Sequence, residues 1–352
     1  MDGLTVLVTG AGAPGIKGTL YSLKGNFENR DVRVIGTDIK QEVVGKYLCD
    51  SFYRIPRPTD TGYLDLLLSI CQKEGVDVVV PQNTLELPVL AENRSSFSDI
   101  GTSVAVSDAS AISVANDKYR LMRLAEQIGV PTPKYGLVNN FEALTDFAKE
   151  LGWPDKPVVV KPPLSNGMRG VRIVDESRDL KEMFYLEKPT SLFVKMKSLY
   201  EILGSDFPPL IVMEYLPNAE YTVDVLKTPE YTIVPRKRDL IQSGITFHGT
   251  VEYHEALITY ARKLSEATGL NYAFGFQFKM DEHNTPKLLE SNPRVQGTMV
   301  LSTFAGANII YAAVKRALNE DVPGFQIKWG TKILRYWGGI GLENNNTAVG
   351  FL

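Results

Sequence analysis

Three side chains near residue 290 have the chemistry of a site for a metal ion and phosphates. Glu290 and Asn292 are two residues apart in an apolar run that predicts a strand, so their side chains would leave the same face. A carboxylate and an amide oxygen on one face can bind one hard cation. Pro293 ends the strand pairing and is followed by the fixed positive charge of Arg294. For so short a motif, an ordinary ion pair between Glu290 and Arg294 is the alternative.

A second run supplies a third oxygen donor. Residues 273–279 alternate phenylalanine with small or polar residues, and the polar connection 281–284 predicts a hairpin between the two strands. That pairing would bring Gln277 beside Glu290 and Asn292. Three oxygen donors with one formal charge are typical of magnesium held jointly by protein and phosphates, with manganese as the alternative ion.

Composition excludes several classes of partner. The chain has 352 residues, of which 44% are hydrophobic and 22% charged, with a net charge of -3. No basic field exists for nucleic acid or an anionic membrane, so any phosphate site must be local. Two cysteines fit a reducing compartment, and no apolar run reaches the roughly 18–20 residues of a membrane span. Because the chain opens into a predicted strand and not a signal peptide, we expect a cytoplasmic protein.

The first hundred residues have the pattern of an α/β domain. A strand at 4–9, a Gly10-x-Gly12-x-x-Gly15 loop, a helix at 16–24 and a strand ending at Asp38 predict a Rossmann-like unit. An NAD(P) site is one hypothesis. Pro14 speaks against it, because proline removes a backbone N–H where N–H groups should face the pyrophosphate. Further alternation of strands and helices predicts a parallel sheet that ends near residue 110.

Two lysines and a glycine loop follow. Lys118 stands where a helical pattern over 107–129 restarts at Asn116 or Asp117, and Lys161 ends the apolar strand 158–161. A charged side chain at the end of an apolar strand must reach the opening of a cleft or a group that pairs with its charge. The loop behind it could fold its N–H groups over phosphates, or form a plain hairpin turn. Its polar and glycine residues are Ser165, Asn166, Gly167 and Gly170.

The apolar strand 210–216 stops at a proline corner, where its last peptide groups at Glu214 and Leu216 could read an adenine edge. Glu220, just beyond, could bind two ribose hydroxyls. The alternative is a β-hairpin with ordinary surface acids.

A basic run and a histidine are candidates for substrate binding. Arg236 and Arg238 lie in a run of three cations, and His248 lies in the loop region that follows. Beside an acidic metal site, such a run favours an anionic substrate or phosphates over a solvated face.

In this order along the chain, these motifs resemble the ATP-grasp superfamily. Within it, the chain is most similar to the carbamoyl phosphate synthase large-subunit type and to free-standing amino-acid ligases. The resemblance implies an α/β ATP-grasp fold with an N-terminal Rossmann-like pre-ATP-grasp domain at 1–110. An N-terminal ATP-grasp subdomain with the phosphate-lid loop would cover 111–225, and a C-terminal subdomain with the metal site would cover 226–352.

The resemblance also implies roles for the candidate residues. Lys118 and Lys161 would bind the nucleotide, and residues 165–170 would form a lid over its phosphates. Arg294, with Lys161, would stabilise the transferring phosphoryl group. The remaining implied assignments are adenine contacts at Glu214 and Leu216, ribose at Glu220, and magnesium ligands at Gln277, Glu290 and Asn292.

The implied activity is carboxylate–amine ligation through an acyl-phosphate, with release of ADP and phosphate. Carbamoyl phosphate synthases have a second arginine where this chain has Gly297, and they are duplicated chains. We therefore expect a larger carboxylate, such as an amino acid, and an amine as substrates, and a homodimer at the family level. The alternatives are carbamoyl phosphate synthase-like phosphoryl transfer, an NAD(P)-dependent oxidoreductase, and a non-catalytic ATP-binding regulatory protein.

Overall fold

The computed structural model describes residues 3–165, 167–188, 190–344 and 347–352. They form two compact units. Unit 1 comprises the described residues of Met1–Ala115, Glu220–Phe278 and Ser291–Leu352, and unit 2 comprises those of Asn116–Ala219 and Lys279–Glu290. The predicted boundary at residue 110 lies near the end of the first stretch of unit 1. As functional subdomains, the three predicted segments stay a prediction.

The first stretch of unit 1 has the predicted parallel sheet. Its strands lie in the order β3-β2-β1-β4-β5, and every neighbouring pair is parallel. The sequence pattern did not predict β3 or α2, which are only four residues each. The elements are β1 Leu4–Val8, α1 Ile16–Lys24, β2 Val32–Asp38, α2 Gly45–Leu48, β3 Ser51–Arg54, α3 Tyr63–Glu74, β4 Val78–Val80, a 3-10 turn Thr84–Glu86, α4 Leu87–Glu92, α5 Arg94–Ser98, β5 Ser103–Val104 and α6 Ala109–Asn116.

Unit 2 is built on a second five-stranded sheet, in the order β6-β10-β7-β8-β9. One face of this sheet packs on a core that includes Val158, Val160 and Leu144. Its elements are α7 Lys118–Gln127, β6 Tyr135–Asn140, α8 Phe141–Glu150, β7 Val158–Lys161, β8 Arg172–Val174, α9 Leu180–Leu186, β9 Phe193–Val194, α10 Met196–Leu203 and β10 Asp206–Glu214.

The rest of the chain forms a six-stranded sheet, in the order β15-β14-β11-β12-β13-β16, and a two-stranded sheet of β17 and β18. Its elements are β11 Glu220–Leu226, β12 Thr232–Gln242, β13 Ile245–Val251, α11 Glu255–Thr268, β14 Ala273–Met280, β15 Pro286–Asn292, α12 Val300–Phe304, α13 Ile309–Ala317, β16 Lys332–Leu334, β17 Ile340–Leu342 and β18 Ala348–Phe351. Within the described ranges, no helix is long and apolar enough to cross a membrane.

The helix restart predicted near residue 117 is confirmed. α6 ends at Asn116, and the carboxylate of Asp117 accepts hydrogen bonds from the N–H groups of Tyr119 (2.9 Å) and Arg120 (3.1 Å). This N-cap satisfies two of the donors that open α7. Lys118 is therefore fixed as the first residue of α7, and its own N–H donates to the carbonyl of Pro163 at 3.0 Å.

The glycine loop after β1 is filled by groups of the protein itself. The N–H of Gly12 donates to Oδ2 of Asp38 at 2.7 Å. A Cβ on Gly15 would lie 2.3 Å from Cα of Gly297, which is closer than any real Cβ contact. The third glycine of the loop is thus required for close packing of one backbone on another.

We expect Gly15→Ala to lower the free energy of unfolding by about 1–3 kcal/mol, the usual cost of forcing an extra methyl group into a packed interior. Equilibrium urea unfolding measures the change. Gly324→Ala is the matched control, because a Cβ there would meet nothing within 4 Å. Equal unfolding midpoints for the two variants would contradict the packing role of Gly15.

Candidate functional site

Two buried lysines of unit 2 lie close to the start of the Glu290 motif. Lys118 is only 4% exposed and Lys161 only 5%. Nζ of Lys161 donates to the carbonyl of Leu289 at 3.2 Å. Nζ of Lys118 lies 3.4 Å from Oε2 of Glu290 and donates to the carbonyl of Ser165 at 2.7 Å. Two ammonium groups are thus held within reach of the same two residues, 289 and 290.

The alternation of β7 explains why Lys161 points there. Successive side chains of a strand leave opposite faces. Val158 and Val160 pack into the core of unit 2, so Val159 and Lys161 face the other side. On that side Val159 packs with Ile211 and Leu289 in a smaller apolar cluster. The ammonium group therefore emerges beside the backbone of Leu289.

The loop between β7 and β8 reaches Lys118 through Ser165, whose hydroxyl also lies 3.2 Å from Nζ. Gly167 (φ 58°) and Gly170 (φ 76°) adopt left-handed backbone conformations that favour glycine. Asn166, another predicted phosphate contact, lies outside the described residues. The role of the loop as a phosphate lid stays a prediction.

The predicted adenine contacts lie at the end of β10. The N–H of Glu214 donates to the carbonyl of Lys134 at 2.9 Å, and Oε1 of Glu214 accepts from the N–H of Lys134 at 3.0 Å. Leu216 is 3% exposed. These bonds fix the strand end, and adenine recognition there stays a prediction.

In unit 1, the guanidinium of Arg294 contacts oxygen atoms of residues 84, 292 and 295. Its guanidinium donates to Oδ1 of Asn292 at 3.0 Å, to the carbonyl of Val295 at 3.1 Å and to Oγ1 of Thr84 at 3.4 Å. The last contact joins the Asn-Pro-Arg motif to the loop after β4. Sequence analysis had not linked these two segments, because they are 210 residues apart.

A buried carboxylate that the sequence analysis missed supports this loop. Glu86 is 2% exposed and accepts hydrogen bonds from the hydroxyls of Thr9 and Tyr63 and from the N–H groups of Gln82 and Asn83. Burial raises the pKa of the Glu86 carboxyl, and these donors act against the rise. The spacing of Asn83 and Glu86, that of a capping box, was the available sequence signal.

Arg236 is buried in an ion pair. Its Nε and Nη2 each donate to the carboxylate of Asp224 at 2.7 Å, and both residues are at most 1% exposed. Asp224 also accepts from Oγ of Ser302 at 2.7 Å and from Nε2 of Gln296 at 3.4 Å. Asp224 was not predicted as a functional residue; its signal in the sequence was an acid between two valines of β11.

Arg238 is paired with Glu220. Its Nη1 donates to the Glu220 carboxylate, its Nε to Oγ1 of Thr246 at 2.8 Å, and its Nη2 to the carbonyl of Gly244 at 2.6 Å. His248 is half-buried on β13. Substrate binding by Arg238 and His248 and ribose binding by Glu220 stay predictions.

The predicted magnesium ligands lie on two strands that follow each other along the chain. Gln277 is on β14, and Glu290 and Asn292 are on β15. All three are half-buried. One carboxylate and two amide oxygens are the hard donors that magnesium prefers, so the residue types fit the ion. The ligand assignment itself stays a prediction.

Comparison with known families gives two matches, each to less than half of the chain. Residues 206–333 match a model described as ATP-grasp in the biosynthetic pathway with Ter operon. Residues 6–105 match a model described as the PylC-like N-terminal domain. The two matches fall on the segments that the sequence analysis assigned to an ATP-grasp module and to its preceding domain.

Curated relatives include large chains of carbamoyl phosphate synthase. The one from Clostridium acetobutylicum is 23% identical over 290 residues, which are 77% of this chain and 25% of that one. The one from Clostridium botulinum is 26% identical over 271 residues, 73% of this chain and 23% of that one. The chain therefore spans about a quarter of the length of these relatives.

Solved structures share the fold. An ADP complex of N5-carboxyaminoimidazole ribonucleotide synthetase has a TM-score of 0.67 at 15% identity, covering 93% of this chain and 80% of that one. An L-amino acid ligase from Bacillus licheniformis has a TM-score of 0.62 at 13% identity, covering 90% and 75%. The protein thus has an ATP-grasp fold preceded by a Rossmann-like domain. The resemblance to the ATP-grasp superfamily, and within it to the carbamoyl phosphate synthase large chain, is confirmed.

We expect Asp224→Asn to lower the free energy of unfolding by about 3–5 kcal/mol, because it leaves the buried charge of Arg236 without its counter-ion. Urea unfolding followed by circular dichroism measures the loss. Asp146→Asn is the control, since the pair of Asp146 with Lys149 is 62% and 58% exposed and such surface pairs contribute little. A loss no larger than that of the control would contradict the role of the pair.

Proposed function

We propose that the protein is an ATP-dependent carboxylate–amine ligase that works through an acyl-phosphate. The observation that carries this proposal is the burial of Lys118 and Lys161 next to residues 289 and 290. Buried ammonium groups require nearby negative charge. Glu290 places one carboxylate beside Lys118, and in our proposal the phosphates of a nucleotide bind at the same two ammonium groups.

The reaction balances without a nucleophilic side chain. A carboxylate oxygen of the acid bonds to the γ-phosphorus of ATP, and the bond from that phosphorus to the oxygen of ADP breaks. The lone pair of the amine then attacks the acyl carbon, the bond to phosphate breaks, and the nitrogen loses a proton. The products are an amide, ADP and inorganic phosphate.

In this scheme the residues mainly position groups and neutralise charge. Lys161 and Arg294 would offset the charge that develops on the transferring phosphoryl group. Lys118 would bind the nucleotide phosphates and hold Glu290. Gln277, Glu290 and Asn292 would ligate magnesium, whose charge would offset that of the phosphates.

The substrate class proposed is an amino acid or a similar small carboxylate. Similarity in fold to an L-amino acid ligase supports a ligase of this kind. The identity of the amine is left to experiment. We propose that the protein acts in the cytoplasm and that it binds ATP, a small acid and an amine.

The loop after β1 supports the ligase over an oxidoreductase. A dinucleotide would need the N–H groups and the open space of this loop. The N–H of Gly12 is instead bonded to the carboxylate of Asp38.

The proposal is tested by nucleotide turnover on purified protein with ATP and magnesium against pooled amino acids and amines, with ADP and AMP resolved. We expect ADP and phosphate to form only when a substrate pool is present. Splitting that pool then identifies the acid and the amine. Formation of AMP would contradict phosphoryl transfer, and tight ATP binding without turnover in any pool would favour a regulatory protein.

We expect Glu290→Gln to lower ADP release by roughly a hundredfold or more, because it removes the only formal negative charge among the predicted magnesium ligands. Circular dichroism should show an unchanged fold. Glu282→Gln is the matched control, since Glu282 is an acid of the same hairpin whose side chain is 66% exposed. Equal ADP release by both variants would defeat the metal assignment.

A further inference from the structure

Among the described residues, the terminal NH2 group Nη1 of the buried Arg236 in unit 1 lacks an acceptor. Nε and Nη2 of Arg236 are taken up by Asp224. In the part of the chain that the structure describes, Nη1 has no hydrogen-bond partner, and the whole residue is 1% exposed. A buried donor without an acceptor is costly, so a group that could accept from it would bind favourably.

A second guanidinium, that of Arg335, contacts the segment 296–297 that also reaches Asp224. Arg335 follows β16, and its N–H donates to the carbonyl of Phe247 at 2.9 Å. Its guanidinium donates to the carbonyls of Gly297 and, at 3.4 Å, of Pro14. Among the described residues, Arg335 has no carboxylate partner. Burial and the positive charge of Arg236 lower the pKa of Arg335, as expected for two cations placed close together.

One turn connects the two arginines. Nε2 of Gln296 donates to the carboxylate of Asp224, the partner of Arg236. The carbonyl of the next residue, Gly297, accepts from the guanidinium of Arg335. Asp224 pairs with Arg236, so among the described residues the charge of the second guanidinium, that of Arg335, has no carboxylate beside it. A planar anion with two oxygens would match both the unpartnered Nη1 of Arg236 and the positive charge of Arg335.

We propose that Arg236 and Arg335 bind a carboxylate group of a ligase substrate. This carboxylate is not the one that is phosphorylated during the reaction. This inference rests on the proposed function, because it assigns the anion to one of the ligase substrates. The substrate that carries it is a dicarboxylic acid, if the group belongs to the activated acid, or an amino acid, if it belongs to the amine. In both cases the arginines select a substrate with a second charged end.

The first test measures anion binding without ATP. The thermal unfolding midpoint of the full chain is followed as acetate replaces chloride at constant ionic strength, since an anion that binds only the folded state raises the midpoint. We expect acetate to raise the midpoint of the wild-type protein and of Lys332→Gln, and to raise that of Arg335→Gln much less. Lys332 is the matched control because it is an exposed cation on β16 of the same segment.

Arg236→Lys addresses the buried partner while keeping its charge beside Asp224. We expect it to keep the fold and to lose the acetate response, because the unpartnered Nη1 is gone. A response to acetate that is equal in wild type, Arg335→Gln and Arg236→Lys, including no response in any of them, would overturn the proposal.

Turnover then identifies which substrate carries the anion. We expect Arg335→Gln to raise KM by roughly tenfold or more for one substrate, the typical loss of a hydrogen bond to a charged group, with KM for ATP unchanged. A higher KM for the acid places the carboxylate on the acid, and a higher KM for the amine places it on the amine. Absence of ADP release with an intact acetate response contradicts only the ligase, whereas ADP release without an acetate response contradicts only the anion site.

Discussion

The burial of two ammonium groups is the constraint on which the account of unit 2 depends. Lys118 and Lys161 are each at most 5% exposed, and burying a charge is expensive unless it is compensated. The strand that carries Lys161 and the N-cap that fixes Lys118 bring both groups to residues 289 and 290. We propose that this charge arrangement holds the phosphates of a nucleotide.

Much of the local structure could be predicted from sequence because its causes are local. The restart of the helix at Asp117 depends on one capping side chain, and the orientation of Lys161 follows from strand alternation within four residues. The order of the motifs along the chain predicted the ATP-grasp fold in a different way, through its resemblance to a known superfamily. Each motif combines a short periodic pattern with a residue type whose chemistry is recognisable.

The pairings between distant segments could not be predicted. Asp224 and Arg236 lie diagonally on the paired strands β11 and β12. Gln296 and Ser302 reach the same carboxylate from more than seventy residues away. Arg335 is likewise unremarkable in sequence, and only the pairing of β16 with β13 brings it to Gly297. Arg238 and Glu220 form an ion pair with each other. The sequence patterns gave the two residues separate binding roles and did not predict that they pair.

Isotope labelling of the substrate carboxylate tests most directly whether the acid is activated as an acyl-phosphate. Pooled amino acids whose carboxylates carry a heavy oxygen isotope are incubated with the protein, ATP, magnesium and amines, and the released phosphate and nucleotide are analysed by mass spectrometry. Activation as an acyl-phosphate predicts that one labelled oxygen appears in inorganic phosphate and none in the nucleotide. Label in AMP, or released phosphate without label, would contradict the proposed reaction.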